Sequence, residues 1–126
     1  MKNILFVLYH DFSSNSAIHV HNFANYLVSQ GFDCTVAVPH NKASVSVLGS
    51  YAYNVMNFSE IDSVTRFFQN HRQPDIVHAW TPREVVRFFC EKLLSRYPCK
   101  LIVHLEDNEE FLLEKFTQRS AEYFLT

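Results

Sequence analysis

The feature that most constrains the fold is a set of apolar runs that are continuous rather than alternating. Residues Lys2–Tyr9 (KNILFVLY), Cys34–Val38 (CTVAV) and Asp75–Trp80 (DIVHAW) are apolar over most of their length. Strands that are buried on both faces of a parallel sheet have this pattern, whereas strands with one exposed face alternate. These runs therefore predict three strands of a parallel sheet, and the runs Tyr53–Phe58 and Lys100–Leu105 predict two more.

Segments with a different pattern lie between and after the predicted strands. A helix is predicted after the first strand, where Ser14 or Ser16 can cap its start and Gly31 can end it. The small and polar stretch Asn41–Gly49 predicts a loop, and the periodic phenylalanines and leucines of Phe111–Leu125 predict a final helix. The apolar face of the first helix has helical spacing and consists of Val20, Phe23, Ala24, Leu27 and Val28.

Two further helix starts have the sequence of a capping box, in which a hydroxyl and a carboxylate three residues on satisfy each other's backbone N–H groups. Ser59 and Asp62 form the first of these pairs. Thr81 and Glu84 form the second, with Pro82 as the first helical residue. Each pair is followed by apolar residues at helical spacing, so a helix is predicted on either side of the fourth strand.

The alternation of strands and helices predicts an α/β fold. Strands that are joined through helices lie parallel, so we expect a doubly wound parallel sheet, Rossmann-like, with three layers in the order α/β/α. A length of 126 residues fits a single domain.

Composition excludes several classes of function. The net charge is −2 with both signs interspersed, so no basic stripe is present and nucleic acid is not expected as a partner. No apolar run approaches the roughly 20 residues of a membrane span, and no signal-peptide cleavage pattern follows the first run. The chain contains only two glycines, so a P-loop and a GxGxxG fingerprint are both missing.

The cysteines bear on metal binding and on location. Cys34, Cys90 and Cys99 make an odd count, and none of them belongs to a CxxC or other metal-ligand spacing. We therefore predict no metal site. Reduced thiols fit a cytoplasmic protein best.

Ligands of open parallel sheets bind beyond the carboxyl ends of the strands, and this rule selects the candidate residues. His78 lies within the fourth strand, and one of His19 and His21 is expected to face the crevice from the first helix. His104 is expected near the end of the fifth strand. The residues that follow the first and fifth strands are His10, Asp11, Ser13, Ser14, Glu106 and Asp107. We interpret this set as a substrate-binding edge.

Each type of candidate has a structural alternative. A histidine such as His78 or His104 can bind a phosphate or a sugar hydroxyl, or transfer a proton, but it can also be satisfied by nearby backbone. Glu106, Asp107, Glu109 and Glu110 can bind a metal, position a substrate or simply favour the start of a helix. Ser13, Ser14 and the free N–H groups at the first helix start can form an anion site, a property of any helix start.

Two other protein classes with a similar sheet are disfavoured. A receiver-type signalling domain requires a paired acidic cluster after the first strand, and Asp11 alone does not supply it. A flavodoxin requires a phosphate loop rich in serine, threonine and glycine at the same place, which HDFSSNS matches poorly.

Three ordered segments resemble a known family. They are His19–Val36 (HVHNFANYLVSQGFDCTV), Pro74–Trp80 (PDIVHAW) and Lys100–Glu110 (KLIVHLEDNEE). The chain resembles the N-terminal domain of retaining glycosyltransferases of the GT-B fold, in the glycosyltransferase family 4 group. Within the first segment, Phe23 stands in for a leucine of the family pattern. The residues of that segment that match directly are His19, Val20, Ala24, Leu27 and Gly31.

The resemblance implies an enzymatic role for a longer protein. Residues 1–126 would be the acceptor-side half, truncated before the final strands of that domain, and a missing C-terminal domain would hold most of the nucleotide-sugar donor. The reaction would move a sugar to a sugar or lipid-linked acceptor with retention of configuration, without a metal or cofactor. The resemblance places His104 at the catalytic cleft and the loop after the first strand near the donor diphosphate or the acceptor.

The chain departs from the family pattern in that loop, since Ser14 and Asn15 stand where paired glycines are usual. Half of the cleft would be absent, so we expect the chain alone to be inactive. The alternative is a stand-alone α/β binding or interaction module without catalytic activity. Self-association through exposed edges is expected of a half-enzyme, and a monomer is expected of the module.

Overall fold

The computed structural model describes residues 2–105, and within them five strands form one parallel sheet. The sheet order is β3-β2-β1-β4-β5, and each neighbouring pair is parallel. The prediction of a Rossmann-like α/β domain with a doubly wound parallel sheet is confirmed. The strands are β1 (Asn3–Val7), β2 (Asp33–Val38), β3 (Asn54–Asn57), β4 (Ile76–Trp80) and β5 (Lys100–His104).

Helices cover both faces of the sheet. Helix α1 (Asn15–Ser29) packs on one face, and helix α2 (Glu84–Arg96) packs on the other together with a 3₁₀ segment at Phe58–Phe67. Alternate residues of β1 point to opposite faces. Phe6 contributes to the core beneath α1, and Val7 contributes to the core beneath α2. Burial of β1 on both faces explains why its sequence is continuously apolar.

The predicted boundaries of α1 are confirmed. Of the two candidate caps, Ser14 is the one that caps the helix, because its hydroxyl accepts a hydrogen bond of 3.2 Å from the Ala17 N–H. Gly31 follows the last turn with a φ of +95°, a conformation that glycine adopts without steric cost.

Both predicted capping boxes are wrong. The segment after β3 begins at Phe58, and the Glu60 carboxylate accepts a hydrogen bond of 2.9 Å from the Asn57 N–H, so the Ser59 and Asp62 pairing does not form the cap. Helix α2 begins at Glu84, and its N-cap Arg83 lies three residues after the end of β4. Thr81 is instead held in the extension of the sheet, where its N–H donates to the His104 carbonyl at 3.2 Å.

Two further predictions concern less regular parts of the chain. The stretch predicted as a loop contains a 3₁₀ segment at Lys42–Leu48, which begins after Asn41 in the left-handed region at φ +58°. The predicted final helix, Phe111–Leu125, lies outside the described residues. Among residues 2–105, no helix is long and apolar enough to cross a membrane.

Asn3 links β1 to the chain that enters β4. Its backbone N–H donates to the Asp75 carboxylate at 2.8 Å, across a sequence separation of 72 residues. Its side-chain amide donates to the Asn70 side chain at 2.8 Å and to the Gln73 carbonyl at 3.1 Å. These bonds fix the amino-terminal edge of the sheet, so the two central strands are held in register at the end opposite the candidate site.

Candidate functional site

The candidate site lies where the chain connections diverge. Strands β1 and β4 are neighbours, and Val7 of one is opposite Ala79 of the other. The chain leaves β1 toward α1 on one face of the sheet and leaves β4 toward α2 on the other. The carboxyl ends of two strands at such a divergence, called the switch point, are where open α/β sheets bind ligands.

Asp11 organises the loop that follows β1. Its carboxylate accepts hydrogen bonds from the Ser13 N–H at 2.9 Å and from the Ser13 hydroxyl at 2.5 Å. The Asn41 amide donates to the second carboxylate oxygen at 3.3 Å, and the His10 ring lies 3.1 Å from the first. Asp11 is itself buried, so these contacts replace water around the carboxylate.

The hydrogen bonds determine the charge of Asp11. The Ser13 hydroxyl and N–H lower the pKa of Asp11 from 3.8 to about 2, with smaller contributions from Asn41 and His10, although burial acts in the opposite direction. The carboxylate is therefore ionised throughout the neutral range. It acts as a fixed acceptor that orients Ser13, and it does not carry a proton to a ligand.

Further contacts hold this loop against the chain between β2 and β3. The Ser44 hydroxyl accepts a hydrogen bond of 3.0 Å from the Phe12 N–H, and the Phe12 ring stacks on Tyr53 with a centroid separation of 6.4 Å. Ser13 is exposed, and the His10 side chain retains 52% of its accessible surface. The loop therefore presents the imidazole of His10 and the hydroxyl of Ser13 on a buried base.

His78 is packed among aromatic rings on the α1 face of the sheet. Its centroid is 5.3 Å from that of Phe6 and 6.1 Å from that of Phe23. Burial, with a smaller contribution from His104, lowers the pKa of His78 to about 4. The ring is neutral at pH 7 and packs against the aromatic rings of Phe6 and Phe23.

His104 ends β5 and stacks on Trp80. The two ring centroids are 3.9 Å apart and the planes are inclined by only 12°. The His104 carbonyl accepts the Thr81 N–H, so both the backbone and the ring of His104 are held against the end of β4. This arrangement places the imidazole at the carboxyl edge of the sheet, one strand away from the switch point.

The end of β4 has polar groups without partners. The Trp80 indole N–H and the Thr81 hydroxyl are buried and make no hydrogen bond within the described part of the chain. Thr81 also has a φ of +77°, which a β-branched residue rarely adopts. Nearby, the Arg83 guanidinium lies 4.8 Å from the Tyr9 ring centroid and bridges the ends of β4 and β1.

The structure brings the predicted residues together in two groups. His10, Asp11, Ser13 and Ser14 form the loop after β1, although the Ser14 hydroxyl is engaged as the α1 cap. The second group is His78 and His104, whose ring centroids are 6.4 Å apart.

Other predicted residues lie elsewhere. The expectation that one of the two α1 histidines faces the crevice finds no support. His21 lies 2.8 Å from the Tyr53 hydroxyl on the other flank of the helix, and His19 is exposed to solvent. Glu106 and Asp107 lie outside the described residues. Within residues 2–105, no group of three or more histidine, cysteine, aspartate or glutamate side chains is placed to hold a metal ion.

Sequence reasoning missed four residues of the site. Asn41 and Ser44 support the loop after β1, and Thr81 and Arg83 follow β4. The rule that selects strand ends applies equally to β2 and β4, so it could have identified Asn41 and Thr81. Thr81 was instead interpreted as a helix cap.

The fold and the site together define a Rossmann-like α/β domain with polar residues at its switch point. No protein-family model, no curated protein and no solved structure matches this chain. The similarity to the glycosyltransferase segments therefore stays a prediction from the sequence.

Proposed function

We propose that this chain is the acceptor-side half of a retaining glycosyltransferase of the GT-B type. In this proposal it contributes to binding a sugar or lipid-linked acceptor, while a second domain holds most of the nucleotide-sugar donor. The observation that carries the proposal is the group of exposed polar side chains, His10 and Ser13, on a fixed base at the switch point, with His104 at the same edge of the sheet. The segments that resemble the family supply the rest.

The chemistry of this edge suits sugar recognition. The exposed imidazole of His10 and the exposed hydroxyl of Ser13 both offer hydrogen-bonding groups to a sugar. The Asp11 carboxylate accepts a hydrogen bond of 2.5 Å from the Ser13 hydroxyl, which leaves the serine lone pairs available to accept a hydrogen bond from a sugar hydroxyl. His104 is assigned the role closest to the transferred sugar.

The proposal includes a cytoplasmic location. All three cysteines are free, and Cys34 and Cys90 are buried. Burial raises the pKa of both thiols to about 12, which keeps them protonated and unreactive at neutral pH. A reducing compartment is consistent with this state.

Ligand binding to the full chain can be measured through its single tryptophan. Trp80 stacks on His104, so a sugar that contacts this edge is expected to change the indole emission. We expect a saturable change with an acceptor sugar, and a several-fold weaker affinity in Ser13→Ala. Ser95→Ala is the matched control, because the Ser95 hydroxyl is exposed in the last turn of α2. Absence of saturable binding to any sugar or nucleotide sugar, in fluorescence and in ligand-observed NMR, would refute the proposal.

The proposal that the active site is divided between two domains can be tested separately. With a nucleotide sugar and a binding acceptor present, the isolated 126-residue chain is expected to transfer no sugar. Measurable transfer would contradict the assignment of this chain as half of a cleft.

The second candidate is a stand-alone binding module without catalytic activity. The absence of glycine at the start of α1 favours it, because Ser14 and Asn15 limit close approach of a diphosphate to the backbone. Three exposed apolar side chains favour the half-enzyme instead, since Phe23 is 39%, Phe88 59% and Ile102 48% exposed. Light scattering distinguishes the two candidates: the module is expected to be monomeric, whereas the half-enzyme is expected to self-associate at micromolar concentration.

A further inference from the structure

Thr81 combines two unfavourable features at one position. Its side chain is 0% exposed and its hydroxyl has no hydrogen-bond partner within residues 2–105. Its backbone has a φ of +77°, where the Cβ of an L-residue is strained. A buried hydroxyl is normally paired, and backbone strain at a β-branched residue persists where the surrounding structure enforces it. Such groups concentrate at ligand-binding positions.

The position of Thr81 indicates what the hydroxyl could bind. It directly follows β4 at the switch point and precedes Arg83, the N-cap of α2, by two residues. Helix α2 has 13 residues and no side-chain cap, so the N–H groups of its first turn lack intrahelical acceptors. These donors and the positive end of the helix dipole favour an anion.

Two neighbouring groups reinforce this preference. The indole N–H of Trp80 is a donor that cannot accept, and it is also buried without a partner among the described residues. The guanidinium of Arg83 is always charged and lies over the Tyr9 ring near the ends of β1 and β4. Glu84, the acidic residue of the first turn, is paired with Arg87 at 3.2 Å.

We propose that the carboxyl end of β4 is a phosphoryl-binding subsite, in which the Thr81 hydroxyl and the first-turn N–H groups of α2 donate hydrogen bonds to phosphoryl oxygens. The subsite rests on the proposed function, and it deepens it by assigning a phosphorylated substrate. Because the hydroxyl is enclosed in the free chain, residues 81–83 must open to admit the ligand. The strain at Thr81 lowers the cost of that opening.

The test uses inorganic phosphate and uridine diphosphate as probes of the full chain, with calorimetry as the readout. Thr81→Val removes the hydroxyl and keeps the branched shape, whereas Thr81→Ser keeps the hydroxyl. We expect Thr81→Val to weaken binding of either probe about tenfold and Thr81→Ser to weaken it less than threefold. The tighter of the two probes identifies the source of the phosphoryl group. Ser95→Ala is the control, because its exposed hydroxyl lies in the last turn of α2, and it is expected to leave phosphate affinity unchanged.

Several outcomes would overturn the subsite. They are equal weakening by Thr81→Val and Thr81→Ser, no phosphate binding by the wild-type chain, and binding of a neutral hexose alone. The last of these would leave the proposed sugar recognition intact, whereas phosphate binding without any sugar binding would retain the subsite and remove the proposed function.

Amide NMR of the wild-type chain needs no variant: phosphate is expected to shift the signals of Thr81 and of residues 83–86, and shifts confined to residues 10–16 would contradict the assignment.

Discussion

The ends of β1 and β4 are adjacent in the sheet, but they differ in whether their polar groups have hydrogen-bond partners. After β1, the Asp11 carboxylate is surrounded by Ser13, Asn41 and His10, and Ser14 caps the helix that follows. After β4, the Thr81 hydroxyl is buried without a partner within the described residues, its φ is positive, and α2 starts without a side-chain cap.

The difference shows two ways of fixing a loop. The conformation after β1 is maintained by side-chain hydrogen bonds, some within the loop and some with Asn41 and Ser44. The conformation after β4 is maintained by a backbone hydrogen bond, because the Thr81 N–H donates to the carbonyl of His104 in the neighbouring strand. A loop of the first kind is stable without a ligand, whereas a loop of the second kind retains unused donors.

The largest loss of stability is expected from a substitution in the loop after β1. Asp11→Ala removes a buried, charged acceptor that the Ser13 N–H, the Ser13 hydroxyl and the Asn41 amide share, and we expect the free energy of unfolding to fall by about 3 kcal/mol. Urea denaturation measures the loss. Asp62→Ala is the control: its carboxylate pairs with Arg96 but is 79% exposed, so a loss below about 1 kcal/mol is expected. Equal losses in the two variants would show that the Asp11 network does not stabilise the loop.

The second prediction concerns pH: His78 and Asp11 affect the free energy of unfolding over different pH ranges. An unfolded histidine takes up a proton near pH 6.5, but folded His78 stays neutral down to about pH 4. The unfolded state therefore gains the proton first, and the free energy of unfolding falls as the pH drops from 6.5 to 4, by at most about 1.4 kcal/mol per pH unit. The contribution of Asp11, whose pKa is lowered from 3.8 to about 2, disappears only below that window.

Variants at the histidines test this separation. His78→Phe keeps a ring beside Phe6 and Phe23 and removes the titration, so its unfolding free energy is expected to vary less between pH 6.5 and 4. His19→Gln, at an exposed position, is expected to retain the wild-type slope. Unchanged slopes in both variants would mean that His78 protonates equally in the folded and unfolded states.

The third prediction concerns the two positive φ angles near the switch point. Thr81→Gly relieves backbone strain and removes an unpaired hydroxyl, and these gains exceed the loss of a buried methyl group, so we expect unfolding to cost about 1 kcal/mol more. Asn41→Gly is the matched comparison, because Asn41 has a φ of +58° but donates to Asp11. It is expected to destabilise the chain. Thermal unfolding monitored by circular dichroism distinguishes the two signs, and stabilisation by both would remove the contrast.

The smallest effects compare the two helix starts. Ser14→Ala removes the cap of α1 and is expected to lower the free energy of unfolding by about 1 kcal/mol. Arg83→Ala removes no capping hydrogen bond from α2, so a change within about 0.5 kcal/mol is expected. Chemical denaturation of both variants provides the comparison. A larger loss in Arg83→Ala would indicate that its contact with Tyr9 supports the fold.

Parts of the fold could be predicted because the signals are local. The runs that became β1, β2 and β4 are apolar throughout, and a strand buried on both faces requires that composition. The end of α1 was predictable for a similar reason, since Gly31 follows the last apolar turn. Helix starts were less predictable, because threonine or serine near an acidic residue is equally compatible with other conformations.

The site was predictable only in its local half. Asp11, Ser13 and Ser14 were found because they directly follow a strand and interact within a few residues of each other. Thr81 was misread as a cap because its conformation depends on β5, which is remote in sequence. The contacts that Asn41 and Ser44 make with the β1 loop depend on the pairing of β1 with β2, and no sequence spacing encodes those distances.

The central position of β1 has a consequence for how the chain reaches this structure. β1 lies between β2 and β4, and its Asn3 is bonded to Asp75, 72 residues away. Contacts of such long sequence separation slow folding, because the intervening chain must be ordered before the pairing forms. During translation, the ribosome must deliver the chain as far as Trp80 before the central strand has both neighbours. Until then one edge of β1 is open to incorrect pairing.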